Sequence, residues 1–341
     1  MVNSNQSKPI IVAILANSII AIAKAIGYLF SGSSALLSET IHSIADVMNQ
    51  SLLLIGIKRG EQEATNIYHY GLSQERFFWN LVSAMGIFVL GCGVTVYHGV
   101  HDLVAGAPHK QGGIEQIIIQ IILFISMLVE GYSFYVVIGE IKKQASSRTK
   151  SFFEYLREST DPSISAVFWE DFAAILGLLL ALVGIALTEF TGNNTFDAFA
   201  SILIGLLMGW IAIHLAIENK RFLLDRAIPE YELKQLLEVL DKNPNIKSYK
   251  DVRTVVLGPN RLKFKAELEL DTEKIFEESV KKAAKKVRTT LKHVKSDEEL
   301  EAVFFNLGNT LYANKLAELE KIKKQLKDKL PNLQHVNLVI S

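Results

Sequence analysis

The sequence predicts a polytopic α-helical membrane protein of six transmembrane helices followed by a smaller α+β domain. Three observations carry that reading. Of the 341 residues 49% are hydrophobic, and the apolar runs crowd into residues 9–218 while most of the charge lies after Lys220. Six of those runs meet or approach the roughly 20 residues that cross a bilayer. The basic residues of the intervening loops fall almost entirely on one side.

The six runs are about 9–31, 34–57, 77–100, 114–138, 163–188 and 196–217. Lys8, then Lys58, Arg59 and Arg76, then Lys142, Lys143, Arg148, Lys150 and Arg157, then Lys220, Arg221 and Arg226 all lie on one side, and only Lys110 on the other. Because cytoplasmic loops collect Lys and Arg, both termini are expected on the cytoplasmic side of a bacterial or archaeal cell membrane, or on the equivalent side of an organelle membrane. The opening MVNSNQSKPI lacks the length of a cleaved signal and the Arg-rich character of a transit peptide. The first span is therefore expected to act as its own insertion signal.

This gives an N-terminal tail at 1–8, a transmembrane domain at 9–226 and a cytoplasmic domain at 227–341. AIPEYE puts Pro229 at a plausible first helical turn. YELKQLLEVLDKNPN then reads as an amphipathic helix ended by Asn243 and Pro244. In RLKFKAELELD apolar and charged positions alternate, as in a half-buried strand, and Gly258–Pro259–Asn260 supplies the turn before it. Residues 273–293 and 297–329 are Lys/Glu-rich helical patterns, and HVNLVIS closes the chain as a strand. Helix, two strands, helices and strand suit a small α+β sandwich.

Zero formal net charge gives no case for nucleic acid. The single cysteine, Cys92, excludes an intrachain disulfide and a CxxC metal site. Nothing in the sequence points to an enzyme or to a bound cofactor.

Chemistry concentrates in the second run, SSALLSETIHSIADVMNQSLLLIGIKRG. Glu39, His42, Asp46 and Asn49 fall within roughly 80° of one another on a helix. Ionisable groups at that depth cost roughly 2.5–3.5 kcal/mol each on insertion scales and mark functional sites. His42 and Asp46, at i and i+4, can reach one metal ion from adjacent turns. The alternative is a polar helix–helix contact, or a pair such as Glu39 with Lys24 of the first run.

The same stretch, with ANSIIAIAKAIGYLFSGS, HYGLSQERFFWNLVSAMGIFVLGCG, WEDFAAILGLLLALVGI, TFDAFASILIGLLMGW, VRTVVLGPNRLKFKAELELD and LPNLQHVNLVIS, resembles the cation diffusion facilitator family of metal transporters. VYHGV, DPS…ED and the terminal HVNLVIS are most similar to its zinc transporter nine-like branch. The resemblance implies a homodimer of six-helix protomers with cytoplasmic ferredoxin-like domains, exchanging a divalent cation, typically zinc, for protons. It implies an ion site between the second and fifth spans, with His42, Asp46 and Asp171 as ligands.

The family pattern is broken four residues before Asp171, where Val167 has no ligand atom. Glu170, about 100° round the helix from Asp171, and Glu39, one turn from His42, are the candidates to complete the set, with Asn49 behind them. His69 in the loop after the second run is expected at the surface, and Asp197 as an acid at a helix N-terminus. His98 and His101 border the outer end of the third span. The soluble domain offers only His293 and His335. Readings that compete with zinc efflux are a transport-inactive sensor or scaffold and a carrier of manganese, iron or another divalent cation.

Overall fold

The computed structural model describes residues 4–105, 114–147, 150–159, 162–259, 261–277, 280–281, 287, 296–340, with side chains at 4–9, 114–116 and 162 left aside. It divides into two units, Met1–Leu224 and Asp225–Ser341.

The first unit is a helix bundle. It comprises α1 (Ser4–Ser31), α2 (Ser34–Gly60), α3 (Glu75–Gly86) continued through a π-helical segment (Ile87–Val94) into α4 (Thr95–Ala105), α5 (Ile114–Ser147), α6 (Phe152–Glu158), α7 (Pro162–Thr191) and α8 (Thr195–Leu223). Among the described residues, five stretches are long and apolar enough to cross a membrane: Ile10–Ser31, Glu75–Ala105, Ile117–Ser147, Ser163–Thr191 and Thr195–Leu223. The helix expected as the second span, α2, has the length but is more polar than these five. The reason is its position. It packs against α1, α3, α4, α7 and α8, so Ser34, Ser38, Glu39, Thr40, His42 and Ser43 are buried in protein and kept from lipid by the neighbouring helices. Residues facing outward on the other helices, such as Leu15, Ile19, Leu29, Val89 and Phe190, are large, apolar and exposed, which is the arrangement a hydrocarbon solvent selects.

Local chemistry fixes the joints. Gly32 turns between α1 and α2 at φ 68°, a conformation glycine adopts without a Cβ penalty. Ser33 caps α2, its side chain accepting from the Leu36 N–H. A capping box between Ser151 and Glu154 starts α6, which had no counterpart among the expected elements. The third span and α8 approach closely through small residues: a Cβ on Gly99 would meet Ile202 at 2.8 Å, and one on Gly209 would meet Cys92 Sγ at 2.7 Å. That backbone proximity is typical of membrane helix packing.

The second unit comprises α9 (Glu230–Asp241), β1 (Ile246–Gly258), β2 (Arg261–Leu270), α10 (Asp297–Lys329) and β3 (Leu333–Ile340). The sheet order is β1-β2-β3, with β1–β2 antiparallel and β2–β3 parallel. The alternation in RLKFKAELEL is realised: Leu262, Phe264, Ala266, Leu268 and Leu270 are buried on one face. Leu236 and Leu240 of α9 and Leu319, Ile322 and Leu326 of α10 are buried too, so the helices supply the apolar cover. Asp251 sits at φ 49°, within a register shift of β1, and binds Arg253 at 2.7 Å and Lys265 at 2.9 Å. These two cations hold its carboxyl below the usual carboxylate range. Residues 272–277 are helical as expected, whereas most of the helical pattern to 293, His293 included, and Asn260 of the expected turn lie outside the described residues.

Candidate metal site in the helix bundle

A cavity of about 630 Å³ lies among α1, α2, α5 and α7. Its walls come from Ile10–Asn17 of α1, Asp46–Leu53 of α2, Val129–Val137 of α5 and Val167–Ala174 of α7. It therefore occupies the half of the bundle where α1 begins. Most of the lining is apolar; the exceptions are a set of acids and amides at its inner end.

Asp46, Asn49, Glu170 and Asp171 all line this cavity. The 100° between Glu170 and Asp171 on α7 sends them to different neighbours. Glu170 Oε2 accepts from Asn49 Nδ2 of α2 at 2.6 Å, and Asn49 Oδ1 in turn accepts from Ser83 of α3 at 2.7 Å. Asp171 Oδ2 accepts from Ser133 of α5 at 2.8 Å. His42 lies one turn deeper than Asp46, with Nε2 3.6 Å from Asp46 Oδ2. That nitrogen is buried without a hydrogen-bond partner, and so is Glu170 Oε1. Unsatisfied polar atoms are rare in a protein interior and call for an explanation such as an ion. Val167 lines the same cavity and contributes only methyl groups to it.

Glu39 lies apart from the cavity wall. Its Oε2 is 3.1 Å from Lys24 Nζ, and Lys24 also donates to Ser43 at 2.9 Å. Both charged side chains are almost completely buried, at 1% and 0% exposure, so the ammonium and carboxylate neutralise each other between α1 and α2. This is the pair raised above as the alternative use of Glu39. Beyond it the bundle is closed by polar contacts: Ser38 and Ser201 hydroxyls meet at 2.6 Å, and Asp197 accepts from Ser33 Oγ at 2.8 Å and from the Ser34 N–H at 2.6 Å. Asp197, in the first turn of α8, thus also serves the N-terminus of α2.

Sequence reasoning missed one residue, Glu130 of α5. It lines the cavity with Asp46 and Asp171 and is 7% exposed. The signal was present, because Glu130 is the one charged residue between Glu115 and Lys142 apart from Glu140. The rule that singled out α2, an acid at membrane depth, applies to it equally.

As they stand, no three His, Cys, Asp or Glu side chains among the described residues converge closely enough to hold a metal. The acids surround a space instead of closing on a point. Away from the cavity, His69 is exposed. His98 Nδ1 is 2.9 Å and His101 Nδ1 3.3 Å from opposite oxygens of Asp102, which also bonds Ser34 Oγ. In the second unit, burial and then Lys263, Lys327 and Arg261 lower the pKa of His335.

Residues 10–224 match the family model described as the cation efflux transmembrane domain. The chain belongs to the cation diffusion facilitator, or cation efflux, family. Within this family it is 33% identical over 335 residues to the proton-coupled zinc antiporter SLC30A9, mitochondrial, of Homo sapiens, covering 98% of this chain and 58% of that protein. It is 31% identical over 313 residues to metal tolerance protein C4 of Arabidopsis thaliana, covering 90% and 67%. The cation-efflux pump FieF of Citrobacter koseri matches at 22% over 256 residues, covering 75% and 78%. These likenesses put the chain in the zinc transporter nine-like branch of the family. The chain spans 58% of the length of the human cation efflux relative.

Proposed function

We propose that the protein is a multi-pass membrane carrier that exchanges a divalent cation, zinc first, for protons. The observation that carries this reading is the acid-lined cavity itself: Asp46, Glu170 and Asp171 face one space at depth in a bundle of membrane-length helices. Apolar helices do not retain such groups there without a use. The name of the human relative, a proton-coupled zinc antiporter, agrees with it.

In this reading the cation, as substrate, is held between α2 and α7 by His42, Asp46 and Asp171, with Glu170 alongside. Imidazole and carboxylate suit zinc. Glu39, occupied by Lys24, serves the bundle instead of the ion. Ligands bind metal only when deprotonated, so arrival of the cation displaces protons and its departure readmits them. The acids line a cavity in the half of the bundle where α1 begins, so in this reading the cation enters from that end. The buried contacts from Lys24–Glu39 to Asp197 close the opposite end.

The same reading makes α2 a sixth span, since 27 residues at ~1.5 Å rise exceed a ~30 Å hydrocarbon core. It places both termini on the side rich in Lys and Arg, makes the second unit a ferredoxin-like domain there, and pairs two protomers. Val167, the ligand-free position in the cavity wall, favours a second reading, a metal-sensing membrane protein that binds the cation without moving it.

Zinc uptake into proteoliposomes under an imposed pH gradient tests both. Antiport predicts uptake that needs the gradient and acidification changes that track zinc, lost in D46N and D171N. A wild-type protein that binds zinc yet gives no gradient-dependent flux establishes the second reading and ends the first.

A further inference from the structure

We infer that Glu130 of α5 is a ligand of the transported cation and supplies the coordination that Val167 of α7 lacks. The inference rests on the site reading above and adds a third helix to it.

Each other acid near the cavity already has a neighbour. Glu39 has Lys24, Glu170 has Asn49, Asp171 has Ser133, and Asp46 has His42 at 3.6 Å. Glu130 has neither a hydrogen bond nor an ion pair with any described residue, although it is 93% buried by its 7% exposure. A carboxylate held at that depth without a bonded partner is costly, because the charge keeps its desolvation penalty with no hydrogen bond to offset it. Lys24 reaches Glu130 only through space, since its ammonium is bonded to Glu39 and Ser43.

The placement of Glu130 suits a divalent cation. It lines the same cavity as Asp46, Val167 and Asp171. Ser133, three residues on along α5, donates to Asp171 at 2.8 Å, so this stretch of α5 lies beside the ligand helix. Val167 stands one turn before Asp171 on α7, where its methyl groups leave one side of the cavity without a donor. The glutamate side chain has two methylenes between backbone and carboxylate, enough for the oxygen to swing into the cavity as the site closes. Glu130 also sits within electrostatic range of Asp46, His42 and Asp171, so one cation can offset several of these charges at once. With His42, Asp46 and Asp171 the set becomes one imidazole and three carboxylates, the four positions zinc fills in a tetrahedron.

The test measures zinc affinity of the full-length protein in detergent by titration calorimetry, for wild type, D171N, E130Q and E130Q/V167H. E130Q is expected to weaken zinc binding by at least the roughly tenfold that even an outer-shell partner costs. Adding V167H to E130Q should recover affinity to within about threefold of wild type, which a purely structural role for Glu130 does not predict. If D171N loses zinc while E130Q binds as wild type, Glu130 is not a ligand and the two-helix site stands. If E130Q/V167H binds no better than E130Q, Glu130 does not stand in for position 167. If neither D171N nor E130Q alters binding, the site reading itself falls. Wild-type protein gives the readout should E130Q not fold: carbodiimide modification of Glu130, followed by peptide mass spectrometry, is expected to drop about tenfold at saturating zinc, and undiminished labelling overturns the inference.

Discussion

At the scale of single residues, Lys24 and Glu39 pose the sharpest energetic question in the bundle. Both are sequestered from solvent, and Glu39 Oε1 has no hydrogen-bond partner. Removing one member of a buried pair strands the other charge, at a cost of about 3–5 kcal/mol. K24M should therefore lower the melting temperature in detergent by roughly 10 °C, while K24M/E39L should regain most of it, because an apolar pair of similar volume carries no desolvation penalty. A K24M melt within about 2 °C of wild type would show that the pair is not holding α1 to α2. The pairing itself was open from sequence. Lys24 and Glu39 were visible as oddities in apolar runs, but two helices must be packed before either partner can be named.

Elements set the tolerances for change. Helices α7 and α8 meet where a Cβ on Gly184 would lie 2.5 Å from Ala200 Cβ and 3.3 Å from the Phe196 carbonyl oxygen. The second of these is backbone and cannot move aside, so G184A should overpack the contact and cost about 1–3 kcal/mol. Gly139 of α5 has nothing within 4 Å of an added Cβ. There the gain in helix propensity is unopposed, and G139A should be neutral or stabilising by up to about 1 kcal/mol. Thermal melts of the two variants side by side check the contrast, and equal effects would refute it. The helices themselves were legible, since apolar runs of spanning length correspond to α1, the third span, α5, α7 and α8. The π-helical turn at Ile87–Val94 was not. It depends on how the third span fits α8, where Gly91 admits the Met208 side chain.

For the whole molecule, pH acts on the second unit through His335. Burial, followed by Lys263, Lys327 and Arg261, disfavours its protonated form in the folded state. A histidine whose folded pKa lies below its unfolded value of 6.5 takes up its proton more readily when unfolded. Stability from this group is thus present above pH 6.5 and declines as pH falls through that value and below. In hydrogen exchange on the full-length protein, corrected for intrinsic rates, strands β2 and β3 should be better protected at pH 7.5 than at pH 5.5. H335Q should flatten that difference; a difference unchanged in H335Q would assign it to other groups.

The sequence by itself determined the division of labour along the chain. Spanning apolar runs, a polar second helix and a charged tail with an alternating strand follow from periodicity and composition, which depend on near neighbours only. It also singled out Asp46, Asn49, Glu170 and Asp171, because charge inside an apolar run is conspicuous without any fold. Only the tertiary structure decided how these side chains are shared. It turns Glu170 toward Asn49 and Asp171 toward Ser133, commits Glu39 to Lys24, sends Asp197 to the start of α2 and brings Glu130 into the same cavity wall as Val167. Each of these choices is a distance between helices remote in sequence, and a carboxylate's partner is set by which neighbour lies within about 3 Å, not by the residues on either side of it in the chain.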